Sequence, residues 1–108
     1  MRVKPLVILS TVTSVYTDLF RVYAAKNSSV PLNQVGKDFS YGSRAFLLER
    51  AAKNLGDVSG KQLRLSLEEL SRADKSLKGF SGSDRIVLEE MIVRLSYIIS
   101  KGESVDKA

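Results

Sequence analysis

A chain of 108 residues that is 44% hydrophobic has room for one core and is too apolar to stay disordered. It holds no cysteine and no histidine, which excludes disulfides, thiolate chemistry, and the commonest general base and metal ligand. The net charge of +5 falls mostly in the first half: residues 1–58 carry eight Lys/Arg against four Asp/Glu, residues 59–108 nine against eight, which suits a solubilising surface or a nearby nucleic acid.

The most apolar stretch, near the N-terminus, is broken by Ser10, Thr11, Thr13, Ser14, Thr17 and Asp18. It falls short of the roughly 18 consecutive apolar residues of a membrane span. Arg2 and Lys4 mimic the start of a signal peptide, but the polar breaks come early and no small-residue cleavage site follows. The absence of cysteine fits a cytoplasmic protein.

Residues 4 to 26 read as a first helix with Pro5 in its first turn. Leu9, Val12, Tyr16, Leu19 and Tyr23 form a stripe that Ile8, Val15, Phe20 and Val22 widen almost all round. The β-branched residues would also suit a strand, but length and the 3–4 spacing favour a helix. A helix this apolar belongs at the centre of a bundle or against another chain. After a turn at Asn27 to Ser29, Pro31 starts a short helix through Phe39, with Leu32, Val35 and Phe39 inward. Tyr41 and Gly42 break it, Ser43 caps a third helix over residues 44 to 55, and Gly56 closes that helix. Phe46, Leu47, Arg50 and Ala51 recur there at helical spacing.

Ser59 and Gln62 have the spacing of a capping box and open the clearest helix, with Gly79 as its C-terminal glycine. Leu63, Leu67, Leu70, Ala73 and Leu77 share one face of it. Ser83 then caps a last helix that runs to about residue 100, with Ile86, Leu88, Met91, Ile92, Leu95, Ile98 and Ile99 on a wide apolar face. Residues 102–108 read as a polar, frayed tail. Glu68 with Arg72, Asp74 with Lys78, and Glu90 with Arg94 are spaced as solvated i,i+4 pairs. The expectation is an all-α bundle of about five helices, one of them short, in a single domain over residues 1–101.

Catalytic patterns are missing. No phosphate-binding GxxxxGK[ST] occurs, and the loop Gly79-Phe80-Ser81-Gly82-Ser83 follows no strand. The adjacent pairs Glu68-Glu69 and Glu89-Glu90 point about 100° apart on a helix, so neither makes a shared carboxylate site. Without histidine, a Ser-His-Asp triad cannot be built. The chain is therefore expected not to be an enzyme and to carry no cofactor and no metal. Residues 31 to 50 resemble a helix-turn-helix, yet the middle of the second helix, Ala45-Phe46-Leu47-Leu48, is apolar where base-reading side chains belong. A small DNA-binding regulator of that type is the alternative reading.

The run from Leu67 to Gly79, with Ala73-Asp74 and Leu77-Lys78 at its end, precedes a leucine- and isoleucine-rich last helix. It resembles the last domain of the delta subunit of the bacterial DNA polymerase III clamp loader. The helix around Val15 to Tyr23 and the short Val35-Gly36-Lys37-Asp38-Phe39 segment agree with that resemblance in order and spacing. It implies a collar-type helical domain of a bacterial cytoplasmic protein, cut from a longer subunit whose AAA+-type domains are absent. In that family the collar domains of delta, delta-prime and tau/gamma hold the assembly together during DNA replication. ATP and the sliding clamp are engaged by other parts, so this domain alone should bind neither. Primer–template DNA would meet it only in the assembly, and no membrane is involved. Tyr16, Phe20, Tyr23, Ile98 and Ile99 are the candidate subunit interface, and the domain's own core is the other use for each. Phe80, among Lys75, Lys78 and Arg85, either stacks on an unpaired base or packs back onto Leu77.

Overall fold

In the computed structural model, which describes residues 4–79 and 83–102, the chain is an all-α bundle. Its helices are α1 (Pro5–Asn27), α2 (Leu32–Asp38), α3 (Phe46–Leu55), α4 (Gly60–Lys78) and α5 (Asp84–Lys101), with a single 3-10 turn at Gly42–Arg44 before α3. No described residue lies in a strand. No helix among the described residues is long and apolar enough to cross a membrane.

Local signals set most of the helix ends. Pro5 opens α1 at its first turn. The capping box of α4 is complete: Gln62 N–H donates to Ser59 Oγ (3.1 Å) and Ser59 N–H donates to Gln62 Oε1 (2.8 Å). Ser83 Oγ caps α5 by accepting from Ile86 N–H, and Gly102 ends that helix at φ 76°. Gly79 ends α4 in extended backbone, at φ −91°, rather than in the left-handed form expected of it.

Two ends use serine where glycine is usual. Ser29 and Ser40 both sit at φ 56°, just past α1 and α2. Val30 N–H then donates to Ala25 O (2.9 Å) and Tyr41 N–H to Gly36 O (2.8 Å), the six-to-one bond of a Schellman end. The second of these ends turns Tyr41 into the core.

The core forms two clusters. Val22 and Ala25 of α1, Val35 of α2, Tyr41, Leu48, Ala51 and Leu55 of α3, and Leu63 of α4 make one. Leu9 of α1, Leu70 and Ala73 of α4, and Val87, Met91 and Leu95 of α5 make the other. Tyr16 packs against both. α4 runs antiparallel to α1 along their length: Leu9 shares a cluster with Leu70 and Ala73, Tyr16 pairs with Ser66, and Tyr23 covers Gly60. A methyl on Gly60 would lie 2.8 Å from the Tyr23 hydroxyl, so glycine is needed for that approach.

Several expectations of inward residues need correction. Phe39 is 51% exposed because α2 stops one residue before it. Phe46 is 57% exposed, and Leu48, Ala51 and Leu55 fill the inner face of α3 instead. That helix starts later than expected, since the 3-10 turn holds residues 42–44 and Ser43 makes no side-chain cap. On α5, Ile86 faces outward. Arg72 pairs with Glu69 rather than Glu68: its Nε lies 3.0 and 2.9 Å from the two carboxylate oxygens and its Nη2 is 2.5 Å from Oε2. Arg94, which holds Glu90 at 2.9 Å, also reaches Glu69 across from α5 at 3.8 Å. Glu69, only 7% exposed, thus sits between two guanidinium groups on neighbouring helices, as a buried carboxylate requires.

Replacing Ser29 and Ser40 with glycine removes the steric cost of the left-handed backbone at both ends. Each substitution is expected to raise the unfolding free energy by about 0.5–1 kcal/mol in urea titrations.

Candidate interaction surface

α1 and α5 leave an apolar opening between them. Both helices pack on α4 and touch each other little. Between them runs a groove of about 430 Å³, lined by Val12 and Tyr16 on one side and by Met91, Ile92, Leu95 and Ile99 on the other. Its floor belongs to the core, and its α5 wall is open: Ile92 is 56% and Ile99 39% exposed. A helix with apolar residues at i, i+4 and i+7 has the shape to lie there.

The expected interface residues divide. Ile99 is exposed and lines the groove, and Tyr16 is half-buried at its edge, beside Ser66. Phe20 is exposed but does not line this groove. Tyr23 is half-buried over Gly60, taken up by the domain's own α4. Ile98 is a correction: at 2% exposure it is a core residue, because it faces α4 on the same side as Met91 and Leu95. Val12, Ile92 and Ile99 were visible as apolar positions, but only the splay of α1 from α5 distinguishes groove walls from core.

The expected nucleic-acid contacts are less concentrated. Lys78 is paired with Asp74 at 3.0 Å and Arg85 with Glu89 at 2.9 Å, each along its own helix. Lys75 is exposed in the last turn of α4, and Phe80 lies outside the described residues. The helix-turn-helix-like segment does fold as α2, turn and α3, and the outer face of α3 carries Phe46, Glu49, Arg50 and Lys53. Arg50 there lies over the Phe46 ring, 5.9 Å from its centroid.

A second, more polar groove of about 750 Å³ lies between α1, α4 and the turn after α2. Tyr41 donates to the Asp18 carboxylate and accepts from Arg21 Nη1 at 3.0 Å, and Arg21 lies 3.9 Å above the Phe39 ring centroid. This trio fastens the turn to α1. Sequence spacing gave no sign of it, because the left-handed Ser40 aims Tyr41. The hydroxyls on the same wall donate to their own helix, Ser14 to Ser10 O and Thr17 to Thr13 O. The described residues hold no group of three or more metal-ligating side chains.

The chain matches no protein-family model, no curated protein and no solved structure.

Burial, and then the bond to Asp18, hold the Tyr41 hydroxyl above the ordinary tyrosine value of 10.0, with Arg21 opposing; burial raises Tyr16 likewise, against the pull of Ser66. Both groups keep their protons to higher pH in the folded chain than in the unfolded one. Their stabilisation is therefore intact below pH 10 and is lost as pH rises through the folded values. Tyr41→Phe is expected to cost about 1–2 kcal/mol at neutral pH, from the lost bonds to charged partners. Chemical denaturation across the alkaline range should show that deficit shrinking above pH 10.

Proposed function

We propose that this domain is a non-catalytic oligomerisation module, the collar domain of a DNA polymerase III delta subunit, which joins other clamp-loader subunits during DNA replication. The observation that supports this reading best is the apolar groove left open between α1 and α5 where both pack on α4. Such a groove accepts a helix from a neighbouring subunit, and covering it removes Ile92 and Ile99 from water. The resemblance of Leu67 to Gly79 and of the helix order supplies the family. The same reading has tau/gamma and delta-prime as partners through their own collar domains, with DNA near only in the full assembly. It places the protein in the bacterial cytoplasm.

The test is a pull-down with the collar domains of those subunits. Ile92→Asp and Ile99→Asp should abolish retention while leaving the unfolding free energy within about 0.5 kcal/mol, since both side chains are exposed. Val93→Asp, on the outer side of α5, should bind as the parent does. A fragment that binds none of the partners contradicts the reading. Tight DNA binding by the isolated domain that falls steeply with salt would favour the DNA-binding regulator instead.

A further inference from the structure

A separate groove of about 550 Å³ opens where the end of α1, the start of α2 and the end of α3 meet. Val22, Leu32 and Leu55 line it, and Val30 stands exposed beside them. Lys26 and Lys53 also line it, both exposed, and no carboxylate is among its lining residues. Four of the eight cations of α4 and α5 behave differently: Arg72, Lys78, Arg85 and Arg94 each hold a carboxylate. Among the described residues, Lys26 and Lys53 have no ion pair. The larger polar groove is different again, since Asp18 and Asp74 stand there beside its cations.

We propose that this groove binds a short acidic segment of a partner protein, with one aliphatic or aromatic side chain seated on Val22, Leu32 and Leu55 and flanking carboxylates on Lys26 and Lys53. The apolar lining recognises the anchor, and the two lysines recognise what surrounds it. A phosphate backbone would meet the same lysines but would gain nothing from the apolar wall, which offers it no donors. A basic or neutral segment would leave both charges unanswered. The excess of positive charge in residues 1–58 steers an acidic segment towards this end of the chain. This site is independent of the α1–α5 groove, so it stands or falls apart from the oligomerisation reading.

The test uses the whole chain and a fluorescein-labelled peptide with Leu-Phe at its centre and glutamates on both sides. A version with lysines in place of the glutamates and a labelled single-stranded oligonucleotide serve as comparisons. Saturable binding of the acidic peptide is expected in anisotropy titrations, with none of the lysine version. Lys26→Gln with Lys53→Gln should weaken binding about tenfold and flatten its salt dependence. Ala52→Trp, which fills the groove from an exposed position on α3, should abolish binding with both lysines in place. Circular dichroism of each variant separates loss of binding from loss of fold. Absence of acidic-peptide binding, equal binding by all variants, or binding of the oligonucleotide alone overturns the proposal.

Discussion

The rest of the bundle depends on the antiparallel packing of α4 against α1. Neither cluster of the core closes without it: Leu63 completes one, and Leu70 and Ala73 complete the other. Tyr16 sits where the two meet, packed against both and beside the buried Ser66. At the far end the pair is locked by Tyr23 over Gly60, where no larger residue than glycine fits without displacing the ring. With α1 and α4 joined along their lengths, α3 is held on one side and α5 on the other.

That arrangement makes the domain thin. Its dimensions are 43 × 36 × 20 Å, and the shortest is only about two helix diameters. In a slab two helices deep, most helices keep one face towards solvent, and apolar residues on that face have no cover within the chain. α5 shows the consequence. Gln62 donates to the carbonyls of Ile98 (3.3 Å) and Ile99 (2.9 Å), and Arg94 reaches Glu69 at 3.8 Å, so polar contacts tie α5 to α4. Ile92 and Ile99 are left beside the open groove. These polar contacts add to the apolar packing of Val87, Met91 and Leu95 on Leu70 and Ala73, and leave Ile92 and Ile99 without cover among the described residues.

Much of this was legible in the sequence because it rests on local chemistry. Ser59 with Gln62, Ser83, Pro5 and Gly56 mark helix ends through their own side chains or backbone freedom. The leucine face of α4 follows from spacing alone. What could not be read is what depends on a neighbouring helix. Glu68 and Glu69 are equivalent in sequence, yet only Glu69 meets a guanidinium from α5. Phe39 was expected inward with Leu32 and Val35, but α2 ends before it. On α3 the inner face falls to Leu48, Ala51 and Leu55, and Arg21 and Arg50 lie over the exposed rings of Phe39 and Phe46. The left-handed serines escaped notice because serine carries a weaker signal than glycine for that conformation, and with Ser40 the Asp18–Tyr41–Arg21 contact escaped too.

The groove is the part of the account on which function turns, and methyl NMR with a soluble paramagnetic probe examines it directly. In the free domain, the methyls of Ile92 and Ile99 should broaden strongly, while those of Leu63, Met91 and Ile98 stay sharp, as their exposures require. Adding the collar domains proposed as partners should protect the first group and leave the second unchanged. Methyls of Ile92 and Ile99 that are already protected in the free domain, or still exposed in the complex, would contradict the account.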